Sequence, residues 1–354
     1  MHKLFTSSFD ASIYLQQPEQ NAGRDEILEV GKLYYGSSKD IARTLIKFDV
    51  ANMGIPSGSI VYLNLKSSQA EEIPLEYTIH ANAVSQSWNM GTGTKFDNIT
   101  SNGVSWYYKN GIDKWMDYVV TPNSYASGSD TGSISNGGGG TWYTASMASQ
   151  SYSYEDADIR MNVTGIVNLW LSGSISNNGF ILHHSLTAEN NELDYGVLKF
   201  FSKETNTIYE PKLEIVWNDS IVATGSLAPV TGSAEEGYKV VFTNLKTNYQ
   251  KDSLIKLRVK GRDMFPLKSF GTIYELDQNK YLPTTTYYQL EDYVTGEVIY
   301  PFGTYTKISC DSTSNYFNMN LNTLPANRMY KIKLKIVEGG ISTLIDDKLI
   351  FEIV

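Results

Sequence analysis

Along much of this chain, large apolar side chains recur at every second position. Val61, Leu63 and Leu65 alternate with Ile60, Tyr62, Asn64 and Lys66, and Leu75, Tyr77 and Ile79 alternate with Glu76, Thr78 and His80. Near the far end, Tyr330, Ile332, Leu334 and Ile336 alternate with Lys331, Lys333 and Lys335. A period of two sends the two sets to opposite faces of a pleated strand, so each run predicts a strand with one dry and one wet face. Such strands bury their dry faces by stacking sheet on sheet. The expected fold class is therefore all-β, built from antiparallel sandwiches. The 25 tyrosines and 28 glycines suit strands joined by tight turns.

With 354 residues, the chain exceeds the size at which one hydrophobic core stops growing, and two domains are expected. Residues 218–236 are poor in large apolar side chains and rich in Ser, Thr, Gly and Ala, with Pro229 inside. They read as a linker holding at most one short strand. The expected division is a domain at 1–218, a linker at 219–236 and a second domain at 237–354. In the first domain, Val163, Val167, Trp170 and Leu171 fall at helical spacing. They predict one short amphipathic helix with Asn162 as its N-cap and Gly173 at its end. The longest loop is expected over 121–141, ending in Gly137–Gly140. In the second domain, Tyr238, Val240 and Phe242, then Ile255, Leu257 and Val259, mark strands, and 287–300 reads as a hairpin turning near Thr295-Gly296. Three more strands are expected near 315–321, 329–337 and 348–354.

A net charge of −9 argues against general affinity for nucleic-acid phosphates. One cysteine, Cys310, permits no intrachain disulfide. Residues 1–7 contain no apolar signal core and no run approaches a membrane span. The expectation is synthesis in a cytoplasm, with no membrane partner and with chance sequons at Asn98, Asn162 and Asn218.

Residues that could carry chemistry are few. The histidines are His2, His80, His183 and His184, and no nucleophile elbow is present. Cys310 lies beside Asp311, which raises a thiol pKa rather than activating it. His183 and His184 are adjacent on a strand and point to opposite faces, so they cannot share a metal without a bulge. One is expected inside and the other in water. Glu26 with Glu29, Glu155-Asp156 with Asp158, and Asp346-Asp347 are the paired carboxylates. Each reads first as a solvated edge, since nothing in the spacing sets two acids across a cleft. The cluster at 155–158 could alternatively supply oxygen ligands to Ca²⁺; no other cofactor is implied.

Two constellations are candidate contact sites. Trp106, Tyr107, Tyr108, Trp115 and Trp142, with Trp88 nearby, are either a stacking platform for the C–H face of a sugar or core packing. Lys256, Arg258 and Lys260, with Lys331, Lys333 and Lys335, are either a basic docking face for an acidic neighbouring protein or a solvated, aggregation-resistant face.

Taken in order, Asp10–Tyr14, Asn21–Gly23, Arg43-Thr44-Leu45-Ile46-Lys47-Phe48-Asp49, Ser87-Trp88, Val163–Gly173 and Pro211–Trp217 resemble the DNRLRE-type family. That resemblance runs from about Phe9 to Trp217 and implies a carbohydrate-binding-like jelly roll of the kind found in proteins that bind or act on polysaccharide. Tyr287–Tyr293, Val298–Gly303, Thr306–Asp311, Ser314–Phe317 and Arg328–Ile332 resemble terminal β-domains of tailed-bacteriophage structural proteins. An Ig-like sandwich is expected there. Together the resemblances imply a non-enzymatic virion component of a tail, neck or baseplate, present in symmetric copies among other virion proteins. The alternative is a module that grips host-surface glycan with its Trp/Tyr loops.

Overall fold

A computed structural model describes residues 1–36, 38–71, 76–115, 125–127, 138–153, 158–230, 238–264, 280–322 and 324–354. The fold is all-β, as the alternation predicts, with sheets stacked as β-sandwiches and two short helices. The chain divides into two compact units, Phe5–Ile215 and Met1–Leu4 with Val216–Val354.

The first unit is built on a ten-stranded sheet. Its main path runs Ser67–Glu71, Gly196–Phe201, Ile27–Tyr35, Ser38–Lys47, Phe180–His184, Glu76–Val84, Thr141–Ser153 and Tyr125–Ser127, with Phe9–Tyr14 also paired to Ser38–Lys47 and Gln17–Ala22 to Phe9–Tyr14. A four-stranded sheet has the order His2–Thr6, Lys212–Val216, Ile60–Leu65 and Ile159–Asn162. Strands Ile60–Leu65 and Gly196–Phe201 alternate between buried and half-buried positions, as expected. Phe180–His184 is instead buried at every position, and so is most of Ser38–Lys47. The reason is a second layer: Trp88, Met90, Val104, Trp106 and Trp115 close over Ile13, Ile41, Leu45, Trp142 and Ile181 of the sheet in one hydrophobic cluster. A strand covered on both faces has no wet side.

The expected helix spans Thr164–Leu171 (α1) and buries Ile166, Val167 and Trp170, while Leu171 is exposed. Asn162 sits one residue outside the cap, yet its Oδ1 still accepts from the Thr164 N–H at 3.1 Å and from Thr164 Oγ1 at 2.7 Å. Gly173, at φ +73°, follows the last turn, where its missing Cβ is an advantage. A second helix, Leu186–Asn190 (α2), was not legible. It is one turn long and starts where Ser185 Oγ accepts from the Ala188 N–H at 3.1 Å.

The second unit pairs a six-stranded sheet with a five-stranded one. The six-stranded sheet runs Ala228–Pro229, Lys280–Tyr281, Leu254–Asp263, Asn315–Asn320 and Ser309–Cys310, with Tyr238–Phe242 also paired to Leu254–Asp263. The five-stranded sheet runs Asn248–Tyr249, Ile341–Ile353, Arg328–Glu338, Thr286–Asp292 and Val298–Tyr300. Leu257 and Val259 from the first sheet and Leu290, Ile332 and Leu334 from the second share one core, which includes Leu4. Tyr288 and Phe317 stack across it with centroids 4.2 Å apart.

The hairpin is present: Leu290 pairs with Tyr300, the Asp292 carboxylate caps the N–H groups of Val294 and Thr295 at 2.9 Å, and Gly296 takes φ +72°. The last strand begins at Ile341, seven residues before the expected start. Its alternation breaks where Lys348 adopts φ +54° and the register shifts between Ile332 and Leu334. The stretch expected as a linker is tied into the second unit as far as it is described. Cys310 N–H donates to Ile221 O at 2.8 Å, and Ala228–Pro229 pairs in parallel with Lys280–Tyr281.

Candidate functional site

Of the two readings of the tryptophans, stacking platform or core packing, their burial favours core packing. Trp106, Trp115 and Trp142 are buried and present no ring face to solvent, whereas Tyr107 and Tyr108 are half-buried and meet edge to face with centroids 6.4 Å apart. The rings are consumed by a buried guanidinium. Arg43 projects from the central strand Ser38–Lys47, with its Cζ 4.7 Å from the Trp106 centroid and 5.2 Å from that of Trp142. Arg43 Nε donates to Glu189 Oε1 at 3.0 Å, its NH2 donates to Glu189 Oε2, and its NH1 donates to Gly139 O at 2.7 Å. A charge this far from water persists only when paired and hydrogen-bonded, and aromatic faces add cation–π attraction in the desolvated setting. The Arg43–Glu189 bond closes a gap of 146 residues, which is why the motif alone did not reveal it.

Beside this cage, His183 and His184 are both buried, correcting the expectation that one faces water. His183 lies 4.5 Å from Trp142 and 5.9 Å from His80, centroid to centroid, and its Nε2 is 3.1 Å from Asn82 Oδ1. His184 packs against Tyr195 at 5.3 Å, and among the described residues neither of its ring nitrogens has a hydrogen-bond partner. Burial holds His184 down to a pKa of about 4, and burial with the nearby Arg43 charge holds His183 at about 3. Both rings are neutral core groups at neutral pH.

The basic face also resolves differently. Leu257 and Val259 point into the same core as Ile332, Leu334 and Ile336, so their polar neighbours face outward from two different sheets. Lys256, Arg258 and Lys260 thus lie on one outer face, and Lys331, Lys333 and Lys335 on the opposite one. Most of these charges are engaged. Lys256 and Arg258 reach Asp311 at 3.2 and 2.9 Å, Lys331 reaches Asp346 at 2.6 Å and Lys333 reaches Glu291 at 2.6 Å. Lys335 lies over the Phe302 ring at 5.6 Å, and Lys260 is exposed. The Arg258 hydrogen bond holds the Asp311 carboxyl well below the usual carboxylate range.

Of the possible Ca²⁺ cluster, residues 155–157 lie outside the described residues. Asp158 is bonded to Lys66 at 2.7 Å and to the Ser67 N–H at 2.9 Å. Among the described residues no group of three His, Cys, Asp or Glu could hold a metal ion, and no helix is long and apolar enough to cross a membrane. Asp346 and Asp347 pair with different lysines, Lys331 and Lys239, and Cys310 is buried with its thiol pKa pushed up, first by burial and then by Asp311.

A groove of about 230 Å³ lies on the ten-stranded sheet of the first unit. Its floor is set by register. Gly31 stands between Ala42 and Val197 on its neighbouring strands, Leu33 pairs with Asp40, and Glu29 pairs with Lys199. Alternation places these side chains on one face. A Cβ at Gly31 would fall 2.5 Å from Gly196 O, so close strand packing excludes any larger residue there. Tyr14, Gln16, Gln17, Lys95 and Phe96 complete the lining. Lys95 Nζ bonds Glu29 Oε2 at 2.6 Å and lies 4.3 Å from the Tyr14 centroid and 5.5 Å from that of Phe96.

The Phe96 ring is 88% exposed, yet the turn that carries it is pinned. Asp25 accepts from the Lys95 N–H at 3.1 Å, Asn21 accepts from the Gly93 N–H at 2.7 Å, and Thr94 Oγ1 donates to Asp97 at 2.6 Å. Asp40 is half-buried within the field of the Lys95 charge, and desolvation raises its pKa. Sequence reasoning missed Tyr14, Asp40, Lys95 and Phe96. The only local signal was a phenylalanine in the glycine-rich stretch Gly91–Asp97, outside any alternating run.

No family model matches the chain, and no curated protein does either.

Proposed function

We propose that this chain is a non-enzymatic structural protein of a tailed-bacteriophage virion, in the tail, neck or baseplate, with a recognition groove on its first unit. The observation that carries the reading is the fate of the reactive side chains. His183 and His184 are neutral core groups, Cys310 is buried beside an acid, Glu189 is locked to Arg43, and the C-terminal lysines are mostly ion-paired. Groups that a catalyst would expose are instead spent on packing and pairing inside each unit. The resemblance of the C-terminal segments to phage β-domains supplies the context, and paired surface charges suit packing against neighbouring proteins without a large desolvation cost.

Quantitative mass spectrometry of purified particles tests this. The expected result is a copy number fixed by the symmetry of the tail or neck. Recovery of the chain solely as free protein, or polysaccharide turnover abolished by replacing one carboxylate, overturns the reading.

A further inference from the structure

We propose that Lys32 and Asn191 become joined by an isopeptide bond: the Lys32 amine attacks the Asn191 side-chain amide and releases ammonia. The bond staples an inner strand of the first unit to the segment that follows α2. The reaction runs once, within the folded chain, and is independent of the reading of the chain as a virion protein.

The geometry begins with a lysine that has no route to water. Lys32 lies on strand Ile27–Tyr35 and is 0% exposed. Its register partner is Gly196, and its carbonyl accepts from the Tyr195 N–H at 2.9 Å, which seats residues 191–195 against it. Its Nζ lies 5.3 Å from the Tyr34 ring centroid and 5.7 Å from that of Tyr195. It donates to Asn191 O at 2.7 Å, to Asn191 Oδ1 at 3.2 Å and to Leu193 O. Burial lowers its pKa against the opposing pull of Asp194, so more of the nucleophilic free amine is present than on an exposed lysine. Of the three oxygens around Nζ, only the side-chain amide can react without cutting the main chain.

Asn191 is held as the electrophile. Its Oδ1 accepts from the Leu193 N–H at 2.9 Å and its Nδ2 donates to Tyr195 Oη at 2.7 Å, so both ends of the amide are fixed. Cγ is one C=O bond, about 1.2 Å, from Oδ1. A small turn of the last lysine torsions therefore brings Nζ within the ~3–3.5 Å of reacting atoms. As the Nζ–Cγ bond forms, negative charge gathers on Oδ1, where the Leu193 N–H already points. The positive charge on the attacking nitrogen sits in the field of Asp194. The Cγ–Nδ2 bond then breaks. Nδ2 takes a proton from the Tyr195 hydroxyl and leaves as ammonia, and the proton lost from Nζ restores the hydroxyl. One amide replaces another, so no oxidant, reductant or co-reactant is needed. The bond closes a loop spanning 159 residues. A cross-link over so long a loop removes much of the freedom of the unfolded chain, and a chain with one cysteine cannot make it as a disulfide.

The test is mass spectrometry of the full chain after denaturation. The expected mass is one ammonia below that of the sequence. A tryptic digest should hold a branched peptide joining residues 25–39 to 161–199, uncut at Lys32. Lys32→Arg keeps the charge, lacks the primary amine and should restore the full mass. Tyr195→Phe keeps the ring and should slow formation of the branched peptide about tenfold or more in freshly made protein. Thermal melts show whether these variants fold, and the wild-type mass decides the matter without them. Full sequence mass after prolonged incubation of the folded chain overturns the proposal. So does an ammonia deficit with two linear peptides, which marks a succinimide at an asparagine instead. Neither outcome bears on the copy number of the chain in particles.

Discussion

The same pairing of base and acid occurs in two solvents in this molecule. In the first unit, Arg43 and Glu189 are 1% and 2% exposed, caged by Trp106 and Trp142. In the second, Lys331 and Asp346 are 19% and 32% exposed on an outward strand face, with Lys333 and Glu291 alongside. The buried pair makes two hydrogen bonds between its partners and a third to a main-chain carbonyl, while water completes what the outer pairs lack. Energetics follow solvent more than geometry. The buried pair costs much to break because neither partner can turn to water, whereas the outer lysines mainly keep the face polar.

The largest effect should come from splitting the buried pair. Glu189→Gln leaves Arg43 charged in a dry cage and is expected to cost about 3–5 kcal/mol in urea unfolding. The double change Arg43→Met with Glu189→Leu should cost less than either single change, because no unpaired charge remains. A double variant worse than both singles would contradict the comparison.

Next comes pH. His183 and His184 are depressed when folded, to about 3 and about 4, against an unfolded value near 6.5. Between these limits the unfolded chain binds more protons, so stability is full above about pH 6.5 and is lost as pH falls toward 4 and below. Asp10 opposes this. Burial raises its pKa to about 6, so its contribution is full below about 3.8 and is lost as pH rises through 6. Asp25 and Asp40 are raised as Asp10 is, and His80 is lowered as the other two histidines are. With the two deeply buried histidines dominating, the urea midpoint should fall on acidification from pH 7 to 5, and His184→Phe should flatten the fall. A steeper dependence in that variant would be inconsistent with a neutral buried ring.

The smallest effect belongs to the outer face. Lys333→Ala should change stability by less than about 1 kcal/mol, and added salt should erase the difference. A larger, salt-insensitive loss would mean that the two faces are not energetically distinct.

Much of the scaffold was legible because alternation is local. Ile60–Leu65, Arg328–Glu338 and the hairpin at Asp292–Val298 follow from residues a few positions apart. The layer over the sheet was not, because it needs Trp88, Trp106 and Trp115 to meet Ile13, Leu45 and Ile181 from distant strands. For the same reason one of His183 and His184 was expected on a wet face, whereas the fold covers both. The site was the least legible part. Glu29, Asp40 and Lys199 become neighbours only through strand register, and a lone exposed phenylalanine in a turn carries no pattern. The tryptophans drew attention by residue type, and burial decided against them.

Leu4 sits in the core of a unit whose other members begin at Val216, and His2 stacks on Tyr300 with centroids 4.9 Å apart. During synthesis, His2 and Leu4 therefore emerge more than two hundred residues before the rest of that unit. The His2–Tyr300 contact thus closes a loop of nearly three hundred residues, so its formation depends on sequence made far later than His2 itself.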